Sequence, residues 1–203
     1  FLNWFARTSS KKIATTIKQI AVTHHSVSYA TEPINKTIAT AKKLGIQRIF
    51  IFNGWKRDFG ELHLHVLSPS VTDKYRSTNA SSAVIKMRVS GKNILFTGDI
   101  DESKIKEMYL QKLDIDILEL PHHGQWSAES QLFVDTLCPD VIIQSTNIRR
   151  HAKDVWKIPM NTNRFVTATD GDITTIIYSD GSTTVEGSKN FVTMKECLSS
   201  KPY

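Results

Sequence analysis

Hydrophobic and polar positions along this chain fall into short strand-sized runs separated by helical stripes. Residues 18–24, Lys18-Gln-Ile-Ala-Val-Thr-His24, predict a strand. A helix is predicted from Thr31-Glu-Pro33: threonine is a good N-cap and proline is tolerated in the first turn. Ile34, Ile38, Ala41 and Leu44 then share one stripe before Gly45 stops it. Gln47 to Phe52 predicts the next strand, with Asn53-Gly54 as its turn. Strand, helix, strand opens an alternating α/β layout.

From Gly60 to Leu67 the pattern has period two: Leu62, Leu64 and Val66 point one way, His63 and His65 the other. Ser68-Pro69-Ser70 ends it, and residues 70–82 are polar. Ala83–Val89 and Lys92–Phe96 predict a hairpin through a Ser-Gly turn that delivers Thr97-Gly98-Asp99 to its end. Ser103 to Leu113 is helical in pattern. Asp114 to Leu120 is a strand that empties into Pro121-His-His-Gly-Gln125. A helix over Ala128–Leu137 and an apolar strand over Val141–Ile143 lead to Ser145-Thr-Asn-Ile-Arg-Arg-His151. The last third is β: Arg164–Thr169, Ile173–Tyr178, an Asp180-Gly181 turn and Thr183–Val185. Internal repeats and low-complexity segments are absent.

Composition adds limits. The 203 residues make one domain, 1–203, with room for a sizeable core. With 40% hydrophobic and 23% charged residues and a mean hydropathy of -0.25, neither a disordered chain nor a membrane protein fits. The longest apolar runs are strand-sized. Cys138 and Cys197 form no CxxC pair, so neither a thiolate metal site nor a disulfide framework is expected. A formal charge of +6 and a pI near 9.3 favour anionic partners. The opening Phe1-Leu-Asn-Trp-Phe5 has no methionine and no signal-peptide pattern, and it reads as a cut with sequence upstream. Few cysteines and no visible signal lead to the expectation of a cytoplasmic location.

Three polar clusters each sit just past the C-terminal end of a predicted strand: Asp99, His122 with His123, and Asn147 to His151. Loops at that edge are where α/β sheets build sites, because the strands hold them rigidly. Imidazole and carboxylate together suit zinc or manganese. Singly the clusters are weak. Asp99 also suits a turn, one of His122 and His123 is second to the other, and His151 alone is ordinary. His63 and His65 have H-x-H spacing but lie on the outer face of a half-exposed strand, and they read as structural. His24-His25 follows a strand, but no aspartate or second histidine lies in the next residues to complete a site.

Taken in order, Asn79-Ala-Ser-Ser-Ala-Val-Ile-Lys-Met, Asn93-Ile-Leu-Phe-Thr-Gly-Asp-Ile100, Asp116-Ile-Leu-Glu-Leu-Pro-His-His-Gly124, and Cys138 to Ser145 followed by Asn147 to His151 resemble one known pattern. It is that of the metallo-β-lactamase fold, and within it of the hydrolase domain attached to ComEC-type DNA-uptake channels and its stand-alone relatives. The resemblance is strongest over residues 34–186. It implies an αββα sandwich with a metal site at one edge of the sheets. It also implies two divalent ions, zinc or manganese. Asp99 would bridge them, His122 or His123 would be a ligand, and His151 would be a ligand or the residue that meets the phosphate. Asn79, Ser82, Asn147 and Arg150 fall at substrate-side positions, and Asp170 fits a late structural aspartate.

One departure matters. The fold's first metal motif, H-x-[HD]-x-D-H, does not occur in these residues. Either it lies upstream, with Phe1 to Phe5 in the helix that follows it, or Ala21-Val-Thr-His-His-Ser-Val-Ser-Tyr29 is a decayed copy with Ser26, Ser28 and Tyr29 in place of acids. With the motif complete, the resemblance implies a phosphodiesterase or nuclease whose basic residues, among them Arg149, Arg150, Lys74 and Arg76, suit nucleic acid or another phosphoester. Without it, this chain is expected to be inert. Two other classes stand beside that reading: a catalytically dead binding module with a basic face, and a hydrolase of small esters whose pocket Trp55, Phe59, Trp126 and Trp156 would wall. A domain or membrane channel joined before residue 1 is a further expectation.

Overall fold

The computed structural model describes residues 17–25, 32–73 and 77–189. Phe1–Phe5, Ser26, Ser28, Tyr29, Thr31, Lys74, Arg76 and Cys197 lie outside them. The chain runs β1 (Gln19–Thr23), α1 (Glu32–Lys43), β2 (Gln47–Ile51), β3 (Lys56–Phe59), β4 (Leu62–Ser68), β5 (Val84–Val89), β6 (Lys92–Phe96), α2 (Glu102–Tyr109), β7 (Ile117–Glu119), α3 (Ala128–Leu137), β8 (Val141–Gln144), α4 (Ile148–His151), β9 (Asn163–Val166), α5 (Thr167–Asp170), β10 (Ile173–Ile177) and β11 (Thr183–Gly187). The class is mixed α/β around a large central sheet, as the sequence pattern predicts.

That sheet has seven strands in the order β3-β4-β5-β6-β7-β8-β9. Strands β3 to β6 meander antiparallel; β6 to β9 are parallel and joined by helical crossovers. The two modes arise from the connections: a Ser90-Gly91 turn closes β5 onto β6, whereas α2 and α3 carry the chain back over the sheet. On one face Ile105 and Met108 of α2 and Phe133, Val134 and Leu137 of α3 pack on Leu95, Leu118 and Ile142. Each such burial removes a large apolar side chain from water, stabilising by about 1.5–3 kcal/mol. On the other face the β10–β11 hairpin brings Ile177 and Val185 over Ile94, Ile117 and Val141. Helices, a seven-stranded sheet and a second β layer are thus stacked. β1 and β2 form a separate parallel pair with α1 against β2.

Three local expectations change. The pattern predicts no element over 56–59, yet Lys56-Arg-Asp-Phe59 is the edge strand of the sheet. An edge strand needs no apolar alternation, and charge there blunts pairing with other chains. The strand expected to run to Thr169 stops at Val166, because the Asp170 carboxylate accepts from the Val166 amide at 2.6 Å and closes a helical turn. The strand expected over Asp114–Leu120 shortens to 117–119. Here Asp116 instead accepts from the Asn93 amide at 2.7 Å and from Lys92 at 2.9 Å. Among the described residues no helix is long and apolar enough to cross a membrane.

Candidate functional site

The C-terminal ends of β6, β7, β8 and β9 place four loops along one edge of the sheet, and three of them carry the clusters the sequence singles out. After β6, Thr97 is fully buried and donates its hydroxyl to the Glu119 carbonyl at 2.8 Å, while the Glu119 carboxylate accepts from the Thr97 amide at 3.2 Å. Gly98 follows at φ +57, with Ser82 packed where a side chain would begin. This turn presents Asp99 half-exposed.

After β7, Pro121–Gly124 forms a tight turn in which His122, His123 and Gly124 all adopt left-handed backbone, φ +51, +59 and +74. Two non-glycine residues in that region cost about 1–2 kcal/mol each. The surroundings hold them: the His122 amide donates to the Gly98 carbonyl at 2.9 Å, Trp156 Nε1 donates to the Gly124 carbonyl at 2.9 Å, and Gln144 donates to the His123 carbonyl at 3.3 Å. The result splits the two histidines. His122 lines a cavity of about 460 Å³ together with Asn79, Asp101 and Ser127. His123 lines another, of about 370 Å³, with Ser145, Thr146, Asn147 and Arg150.

His123 is the partner of Asp99: Nε2 stands 3.5 Å from Oδ1. Its other nitrogen, Nδ1, is 3.0 Å from the Ser145 carbonyl. A carbonyl only accepts, so Nδ1 carries a proton, and in the singly protonated ring the Nε2 lone pair faces a carboxylate. Two electron-pair donors facing each other call for a cation between them, either a proton or a metal ion. Their 3.5 Å separation is close to the ~3.4 Å edge of a tetrahedral zinc site built from ~2.1 Å bonds. These two side chains fit a divalent metal.

The other two residues expected as ligands do not join them. Among the described residues no group of three or more His, Cys, Asp and Glu side chains converges as a metal site. His122 faces its own cavity. His151, on α4, has Nδ1 3.2 Å from Asp154, whose carboxylate also accepts from Arg164. Arg150 Nη1 donates to the His122 carbonyl at 3.2 Å, which brings a guanidinium to the rim beside His123. Asn147 caps α4, its Oδ1 accepting from the Arg150 amide at 3.0 Å. Asn79 and Ser82 part company, one beside His122 and the other against Gly98.

Sequence reasoning missed the supports: Glu119 beneath the Asp99 turn, and Gln144, Asp154 and Arg164 beneath the histidine loops. A signal existed for Glu119, a carboxylate inside an otherwise apolar strand. His25 is buried with Nε2 donating to the Ser70 carbonyl at 3.1 Å, and His63 pairs with Asp58 at 2.8 Å, in keeping with its structural reading. Of the four aromatics, Trp156 supports the Gly124 turn and Phe59 lies under Arg57 at 5.1 Å.

No family model matches the chain. It is similar to ComE operon protein 3 of Bacillus subtilis, 28% identical over 145 residues that span 66% of this chain and 19% of that protein. With Recombination protein 2 of Haemophilus influenzae it shares 34% identity over 101 residues, 48% of this chain and 12% of that one. The chain therefore spans a small part of these relatives. Among solved structures, the metallo-β-lactamase fold protein YhfI of Bacillus subtilis aligns over 86% of this chain and 68% of its own, at 10% identity and a TM-score of 0.42. The two sequence relatives agree with the resemblance to ComEC-type proteins read from the four motifs.

Proposed function

We propose that this chain, which resembles the ComEC-type hydrolase domain of the metallo-β-lactamase fold, is part of a metal-dependent phosphodiesterase that acts on DNA or a related phosphoester. The observation that carries the reading is the facing pair of Asp99 carboxylate and His123 lone pair at the C-terminal sheet edge. A bound zinc or manganese ion would lower the pKa of water towards neutrality and offset charge on the phosphoryl oxygens. Asp99 and His123 are the described residues that would hold it, and further ligands would come from beyond the described residues.

The chain's own groups then divide the work. The Ser145 carbonyl fixes the ring orientation of His123 by accepting from Nδ1, which aims Nε2 at Asp99 as the ligating atom. Arg150, tethered by the His122 carbonyl, offers a planar guanidinium to a phosphoryl oxygen in the cavity it shares with His123. In its imidazolium form His151 donates Nδ1–H to Asp154, and the Nε2 proton is then the one it would give to the leaving oxygen, leaving a neutral ring.

The test uses the full-length protein on single-stranded DNA with manganese or zinc, beside Asp99→Asn and His123→Gln. Each substitution is expected to cost at least ~100-fold in turnover, since disturbing even the groups behind a metal ligand costs 10–100-fold. Equal activity in all three proteins would end the proposal. Elemental analysis of the full-length protein finding no metal would favour the non-catalytic binding module instead.

A further inference from the structure

Four segments meet around the cavity of about 460 Å³ that His122 lines: the loop before β5, the first turn of α2, the histidine turn and the residues leading into α3. Its size is that of a small-molecule site. Each segment gives it one polar side chain that the protein itself does not use. Among the described residues, Asn79, Glu102, His122 and Gln125 all line the cavity, and none of their side chains enters a hydrogen bond or an ion pair.

The chemistry of these groups narrows the occupant. Among the described residues no Lys or Arg side chain lines the cavity while two carboxylates do, so a phosphate is not what it receives. Asp101 is already engaged, accepting from Ser103 at 2.7 Å, from Ser77 at 2.8 Å and from the Lys104 amide at 3.3 Å. Glu102 is the carboxylate left to accept from a ligand. Asn79 and Gln125 each offer a planar amide with a donor and an acceptor side by side, the fork that pairs with the edge of a nucleobase, and a carboxylate pairs with an exocyclic amino group.

We infer that this cavity holds an amino-bearing nucleobase, adenine or cytosine, of the nucleotide whose phosphate meets the Asp99–His123 pair. The choice of a nucleobase over another amino-bearing group rests on the phosphodiesterase reading above. Position supports it: Ile100, in the cavity wall, directly follows Asp99, and His122 directly precedes His123, so the backbone that presents the pair also walls the cavity. In the complex Glu102 accepts from the amino group, and the two amides pair with the remaining donors and acceptors of the base edge. Thymine and uracil carry a carbonyl oxygen where adenine and cytosine carry the amino group, and that oxygen meets the Glu102 carboxylate with no proton between them. Leaving two acceptors opposed costs more than losing a contact.

Saturation-transfer NMR of adenosine, cytidine and uridine with the full-length protein in EDTA reads the cavity with neither metal nor phosphate present. Adenosine and cytidine are expected to bind at least ~10-fold more tightly than uridine, the scale of one hydrogen bond to a charged group. Glu102→Gln, whose amide can also donate to a carbonyl, should bring that ratio towards unity. Asn79→Ala/Gln125→Ala should weaken adenosine roughly 10-fold through two lost hydrogen bonds. The comparison of nucleosides on the wild-type protein needs no variant, so a variant that fails to fold leaves the decision in place. Uridine binding as tightly as adenosine, an absence of saturable binding by adenosine and cytidine, or displacement of adenosine by putrescine at equal concentration overturns the inference. Selectivity that persists while the hydrolysis assay fails removes the reaction and leaves the nucleobase site; selectivity that is missing beside a working hydrolase removes the nucleobase site alone.

Discussion

Replacing Gly124 by alanine tests the packing behind His123. Gly124 sits at φ +74, and a Cβ there would lie 2.2 Å from Nε2, 2.5 Å from Cδ and 2.7 Å from Cγ of Gln144. Gln144 has no exposed surface to yield into, and its amide is engaged at both ends, donating to the His123 carbonyl and accepting from Arg164. Left-handed backbone at alanine costs about 1–2 kcal/mol. Forcing extra volume into a packed site costs about 1–3 kcal/mol, and part of this is the loss of the Gln144 hydrogen bonds. The total expected for Gly124→Ala is about 3–4 kcal/mol. Gly54 isolates the backbone term, because its φ is +90 and nothing lies within 4 Å of an added Cβ, so Gly54→Ala should cost only about 1–2 kcal/mol. Urea unfolding of the two variants beside wild type, compared at equal m-value, reads the difference. Losses equal within ~0.5 kcal/mol would refute the claim that Gln144 fills the space behind Gly124.

Two further outcomes follow from charged groups. Asp154→Ala removes the carboxylate that Arg164 donates to while Arg164 remains only 16% exposed, so unfolding free energy should fall by about 3 kcal/mol. A loss below ~1 kcal/mol in denaturant would mean that water compensates Arg164. Burial raises the Asp101 pKa, but hydrogen bonds from Ser103, Ser77 and the Lys104 amide outweigh it, and the net shift is downward. A depressed folded pKa stabilises fully above the unfolded value near ~3.9 and loses that contribution as pH falls through the lower folded value. Asp101→Asn, which keeps an N-cap side chain, should therefore differ more from wild type at pH 7 than at pH 2.5. A stability gap constant between those pH values would contradict the shift.

The α/β class and the edge on which chemistry would sit are legible in the sequence because they depend on local signals, whereas the sandwich follows only from the family resemblance. Strand-sized apolar runs, helical stripes and Gly-bearing turns place Asp99, His123 and His151 past strand ends before any coordinates are known. The helix expected over Ala128–Leu137 is found at those bounds, capped by Ser127, whose side chain accepts from the Ser130 amide. Strand β3 escapes the same reading because an edge position imposes no apolar alternation.

The choice between His122 and His123 has no local signal at all. Both are histidines in one turn, and only the left-handed backbone, tied down by Gly98, Gln144 and Trp156 from distant parts of the chain, turns one towards Asp99 and the other into a separate cavity. The row Lys56, His65 and Lys86 is equally hidden, since these residues are scattered over thirty-odd positions and become neighbours through strand register alone. Sequence determined which elements form and which chemical groups stand at their ends, because those follow from propensity and period. Tertiary structure decided which of those groups meet, because side-chain direction is set by hydrogen bonds and packing between segments far apart in the chain.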